Sequence, residues 1–96
     1  MASAPDLASF LHAIADPARR RILEALKGGK NATAKNGMCA GDIEGCVKLS
    51  QPTVSHHMKI LEKAGLVGVK KEGTWRRYRR NEKTIRLMIQ ALKSQI

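Results

Sequence analysis

Ser50, Gln51, Thr53, Ser55 and His56 lie close together at the start of a segment with helical spacing, and each offers a hydrogen-bond donor or acceptor on a short arm. Groups of this kind can read the base edges displayed in the major groove of a duplex. Lys59 and Lys63 follow farther along the same segment and carry charges suited to phosphates. Beyond them Lys70, Lys71, Arg76, Arg77, Arg79 and Arg80 crowd around a single turn, with Thr74 beside it. Like charges at that density repel one another unless an anion relieves them. The chemistry implied is recognition of a polyanion, with uncharged side chains for bases and cations for backbone.

Such groups work only if held on firm elements. Val54, Met58 and Leu61 recur at i, i+4 and i+7, so at about 100° per residue Met58 and Leu61 fall within about 40° of Val54 while His56 and Lys59 point to the far side. Ser50 suits the N-cap and Pro52 the first turn, whereas Gly65 closes the helix. His57 falls toward the apolar stripe and reads as a structural histidine rather than a base contact or metal ligand. A short helix over 40–47, with Ile43 and Val47 inward, precedes this one after a tight connection at Lys48 and Leu49. Two helices so joined, the second apolar inside and polar outside, make a helix-turn-helix. Leu66, Val67 and Val69 read as a strand, Glu72 and Gly73 as a turn, and residues 75–80 as the antiparallel return, which makes a basic wing. Trp75 and Tyr78 are expected to pack beneath that hairpin rather than stack on bases.

The flanks are helical. Residues 5–15 (Pro5, Leu7, Phe10, Leu11, Ile14) and 82–96 (Ile85, Met88, Ile89, Leu92, Ile96) each carry an apolar face. Asp16 and Pro17 open a second helix with Ala18, Ile22, Ala25 and Leu26 on one face and Arg19, Arg20, Glu24 and Lys27 elsewhere, ended by Gly28 and Gly29. Residues 28–37 hold no large apolar side chain and read as an exposed loop, and Met38 and Cys39 as a very short strand. The fold class expected is mainly α with a small β-hairpin, a winged helix-turn-helix in the order α-α-(β)-α-α-β-β-α, as a single domain over residues 1–96.

Composition agrees. Eighteen Lys and Arg against eight Asp and Glu give a formal charge of +10 over 96 residues, which favours nucleic acid as partner. A chain this short has a small core, so a partner subunit is expected. No apolar run is long enough to span a bilayer and no basic-then-apolar leader opens the sequence, so a cytoplasmic protein without a membrane partner is expected. Two cysteines are too few for a disulfide framework and read as small buried apolar residues. An enzyme is disfavoured, for there is no phosphate-binding glycine loop, no glycine-flanked nucleophile and no paired carboxylates.

The run Ser50-Gln51-Pro52-Thr53-Val54-Ser55-His56-His57-Met58, the following Leu61-Glu62-Lys63-Ala64-Gly65-Leu66-Val67 and the opening stretch from Leu11 through Asp16-Pro17-Ala18-Arg19 to Leu23 together resemble the ArsR family of bacterial repressors. The resemblance covers nearly the whole chain. It implies a homodimer held by the first and last helices, through Leu7, Phe10, Leu11, Ile85, Met88, Ile89 and Leu92. It also implies operator binding through Gln51, Thr53, Ser55, His56 and the wing, and release when an inducer binds.

The chain departs from that pattern at the effector. Arsenic- and cadmium-sensing members carry a Cys-x-Cys pair before the reading helix, and here Cys39-Ala40-Gly41-Asp42 keeps only the first thiol. Cys46 lies about 10 Å farther along a helix, too far to share one ion with Cys39. Zinc- and nickel-sensing members use Asp, His and Glu on the last helix, and residues 82–96 contain no Asp or His. No cofactor is therefore expected, and Cys39 stands as the single candidate thiol for a metal or metalloid effector. The competing function is a non-specific nucleic-acid-binding or architectural module, because net charge alone attracts any polyanion.

Overall fold

The computed structural model describes residues 6–27 and 37–96. The sequence-based placement of Pro5, of Gly28 and Gly29 as a helix stop, and of the loop over 28–36 lies outside the described residues. The elements run α1 (Leu7–Ala15), α2 (Pro17–Ala25), α3 (Ala40–Val47), α4 (Gln51–Lys63), β1 (Val67–Glu72), β2 (Trp75–Arg80) and α5 (Glu82–Gln95).

Local chemistry accounts for the boundaries. Asp6 caps α1 by accepting from the Ser9 N–H at 2.7 Å, and that bond holds the Asp6 carboxyl below its ordinary pKa. Asp16 caps α2 by accepting from the N–H groups of Ala18 (2.7 Å) and Arg19 (3.4 Å), while Pro17 fills the first helical position. Asn81 does the same for α5 through the Thr84 N–H at 3.1 Å. Ser50 occupies the N-cap of α4, yet its hydroxyl bonds to the Thr53 hydroxyl at 2.9 Å instead of capping a backbone N–H. At the far end Gly65, with φ of +78°, donates to the Glu62 carbonyl and Leu66 donates to that of Leu61. This paired closure turns the chain sharply from α4 into the hairpin.

β1 and β2 pair antiparallel from Val67↔Arg80 to Glu72↔Trp75. The first strand is thus longer than its apolar residues suggest, and the turn is Gly73–Thr74, one residue later than the Glu72–Gly73 expected. Met38 adds a one-residue bridge to Tyr78, with N–H···O distances of 2.9 and 2.8 Å in the two directions. Gly37, expected in an exposed loop, is instead buried against this strand.

The core gathers Phe10 and Ala13 of α1, Ile22, Leu23 and Leu26, Ile43 and Val47 of α3, Val54, Met58 and Leu61 of α4, Leu66, Val67, Tyr78 and Ile85. It is almost wholly aliphatic. Every helix contributes to it, so the outward side of α4 is set by the depth at which its inner stripe is fixed.

Candidate nucleic-acid interface

The inner stripe of α4 is Val54, His57, Met58 and Leu61, all buried. On the other side Gln51, Ser55, His56 and Lys59 are exposed, as is Ser50 at the cap, and Thr53 is half-buried with its hydroxyl bonded to that of Ser50. The helix thus presents amide, hydroxyl, imidazole and ammonium groups to solvent near its N-terminal end, the end that approaches base edges in a helix-turn-helix. The connection before it bends sharply at Lys48, a non-glycine residue with φ of +57°.

His57 is 8% exposed and Arg19 only 6%. The Arg19 guanidinium donates from Nε to the Ala13 carbonyl at 2.7 Å and from Nη2 to the His12 carbonyl at 3.0 Å, and its Nη1 lies 3.1 Å from His57 Nδ1. Asp16 stands 3.9 Å away. A guanidinium has only donors, so His57 Nδ1 must be the acceptor, which requires a neutral imidazole protonated at Nε2. Burial, with Arg19 and His56 adding to it against the opposing pull of Asp16, holds the His57 pKa below its ordinary value. At Asp16 burial works against ionisation, but the Ala18 and Arg19 N–H groups and the nearby positive charges outweigh it, so that carboxyl titrates below its usual range. Arg19 therefore ties the last turn of α1 to the back of the reading helix. Its expected place away from the apolar face of α2 is corrected: it points inward, where carbonyls ending α1 and the imidazole of α4 converge.

On the hairpin Lys70, Lys71, Thr74, Arg76 and Arg79 are exposed and Arg77 is half-buried. Arg80 does not belong with them. It donates to Glu82 at 2.8 Å and 3.2 Å and to the Leu23 carbonyl at 3.0 Å, which joins the wing's base to α2 and α5. Glu82 is held below its ordinary pKa chiefly by that bond to Arg80. The aromatic pair divides. Tyr78 is buried at 8% exposure, whereas Trp75 is 63% exposed, contrary to the expectation that both pack beneath the hairpin. Side chains alternate along a strand, so positions three apart face opposite ways and one core can take only one of these rings.

Of the terminal-helix residues, Leu11 and Ile89 are exposed and Leu7, Met88 and Leu92 half-buried. Phe10 and Ile85 are already covered by the chain's own core, which leaves them little surface for a second chain. Leu87, which the sequence reading passed over, is also exposed. Cys39 sits half-buried at the start of α3, with its N–H donating to Asp42 at 3.4 Å. Cys46 is exposed, which corrects its reading as a buried apolar residue. Among the described residues no group of three or more His, Cys, Asp or Glu side chains converges on a point that could hold a metal, and no helix is long and apolar enough to cross a membrane.

Residues 16–69 match the family described as bacterial regulatory protein, arsR family. An HTH-type transcriptional regulator of Methanocaldococcus jannaschii is 46% identical over 72 residues, spanning 74% of this chain and 73% of that protein. The transcriptional repressor SdpR of Bacillus subtilis is 41% identical over 69 residues, 72% of this chain and 69% of its own. In structure the chain is similar to a homodimeric winged helix-turn-helix DNA-binding domain from Mycobacterium bovis, with a TM-score of 0.71 and 26% identity over 98% of this chain and 91% of that one.

Proposed function

The chain belongs to the ArsR family of bacterial regulatory proteins and is a sequence-specific DNA-binding transcriptional regulator; from that premise we propose how it works. Two copies pair through α1 and α5, where Leu11 and Ile89 are exposed and Leu7, Met88 and Leu92 are half-covered. Each copy sets α4 into a major groove of the operator, with Gln51, Thr53, Ser55 and His56 at base edges and Ser50 and Lys59 at the backbone. The wing lays Lys70, Lys71, Thr74, Arg76, Arg77 and Arg79 along the flanking phosphates. Bound this way in the cytoplasm, the dimer represses transcription until an effector releases it.

The single observation that carries this reading is the two-sided character of α4. Its inner residues are sealed into the core while Gln51, Ser55 and His56 are exposed within its first two turns. The test is a fluorescence-anisotropy titration against the protein's own upstream promoter and a scrambled duplex at ~150 mM salt, repeated with arsenite, zinc and peroxide. A preference for the promoter of about a thousandfold is expected. Equal binding to both duplexes would instead indicate a non-specific nucleic-acid module. Whichever additive abolishes the preference names the effector class.

A further inference from the structure

Trp75 is the largest apolar side chain on the hairpin, and it is the one the core does not use. One part of it lines a shallow groove with Cys39 and Asp42 at the start of α3, and the rest faces solvent. Around it on the two strands stand Lys70, Lys71, Arg76 and Arg77, with Glu72 directly across as the only acid of the hairpin. An indole left in water forfeits the free energy that burial would return, so this position favours an occupant that covers it. A dry protein partner would have to strip the water from those cations without replacing it, which is costly. A nucleic-acid backbone covers the ring and supplies phosphates to the cations in the same step. An arginine at this position would face the Glu72 carboxylate across the strands and be partly neutralised by it, whereas an indole is not.

We propose that Trp75 is a DNA-contact residue, its ring packed against the deoxyribose wall of the groove beside the wing and its Nε1–H directed to an acceptor on the duplex. The proposal rests on the reading of this hairpin as the DNA-binding wing. A ring face against sugar carries no base code, so it adds affinity for every duplex rather than preference for one.

The chain contains a single tryptophan, so its fluorescence reports this contact directly. The 96-residue chain is titrated with promoter and scrambled duplexes while emission and acrylamide quenching are followed, and Kd is measured by anisotropy for wild type, W75A, W75F and R76A. Binding of either duplex is expected to quench the emission and shield the ring from acrylamide. W75A weakens both duplexes by about tenfold, and W75F recovers most of the loss. If R76A weakens binding while W75A matches wild type and the ring stays open to acrylamide in the complex, the wing reading stands and the Trp75 contact is wrong. If neither variant changes Kd, the hairpin is not a DNA-binding wing and the reading beneath the proposal fails with it.

Discussion

Arg19 and Arg76 carry the same charge and do opposite things. Arg19 lies at the junction of α1, α2 and α4, nearly sealed from water, with its donors directed at two carbonyls and an imidazole. Arg76 stands exposed on a two-stranded ribbon among other cations. The first region satisfies its charge inside the protein, and the second displays the Arg76 guanidinium at its surface. Arg19 and Arg80 are engaged within the fold and are not among the groups free to bond a phosphate. Lys70, Lys71, Arg76 and Arg79 are exposed on the wing, and Lys59 and Lys63 on α4.

The sharpest way to break this contrast is to remove Arg19. Arg19→Ala removes the donors that serve the His57 Nδ1 acceptor and the carbonyls of His12 and Ala13 at a largely buried junction. A loss of about 2–4 kcal/mol in urea unfolding is expected. Arg19→Lys should recover little of it, because one ammonium cannot serve three acceptors spread over a planar fork. If both variants melt like wild type, the junction is not held by this arginine.

A smaller loss is expected where the body meets the hairpin. Gly37 has φ of +89°, and a Cβ there would come within 2.9 Å of both the Tyr78 carbonyl and Arg79 Cγ. The arginine carbon can swing away but the backbone carbonyl cannot, and it is the acceptor of the Met38 N–H. Gly37→Ala should cost about 1–3 kcal/mol, seen as a lowered Tm. Retention of the wild-type Tm would mean that the Met38–Tyr78 bridge does not anchor the wing.

The junction also titrates. His57 has its pKa lowered on folding from an ordinary value of 6.5. Above that value both folded and unfolded chains hold it neutral, and stability is complete. As the pH falls below 6.5 the unfolded chain takes up a proton that the folded chain resists, so stability declines until the lowered folded value is passed. Asp16, also lowered, adds a separate loss at more acid pH, below its ordinary 3.8. His57→Asn keeps an acceptor toward Arg19 but cannot ionise. Its unfolding free energy should stay flat across the interval where that of wild type slopes, and a parallel slope in both proteins would place the titration elsewhere.

Much of this was legible from residue order. The short helix over 40–47, the return strand over 75–80, the Asp16–Pro17 start of α2 and the inward turn of His57 all follow from caps and periodicity and are found as expected. Arg19 was misplaced although its signal was present: Arg19, Ile22, Leu23 and Leu26 form an i, i+3, i+4, i+7 stripe. The charge of Arg19 masks that spacing, and nothing in α2 alone reveals that carbonyls of α1 and an imidazole of α4 wait at that point. Trp75 failed for a different reason. Aromatic character suggests burial, but its odd spacing from Tyr78 already put the two rings on opposite faces. The turn slipped by one residue because Glu72 and Trp75 can pair across the ribbon in spite of their polarity mismatch, which no propensity describes. The exposed Leu87 shows the same limit, since a single apolar stripe does not say which flank of α5 the core will leave open.

The mildest change tests the wing side of the contrast. Arg76 is exposed, so Arg76→Ala should shift unfolding free energy by no more than about 0.5 kcal/mol. Its effect belongs to the complex. If its guanidinium displaces counterions from one phosphate, the slope of log K against log salt should become shallower by about one, with promoter and scrambled duplexes weakened alike. His56→Ala should do the reverse, leaving the salt slope nearly unchanged while costing about 1–3 kcal/mol at one operator position. The two variants thus separate charge that positions from groups that read. Were Arg76→Ala to alter base preference while His56→Ala altered only the salt slope, the roles of wing and helix would have to be exchanged, although α4 would still be held from behind by Arg19 and His57.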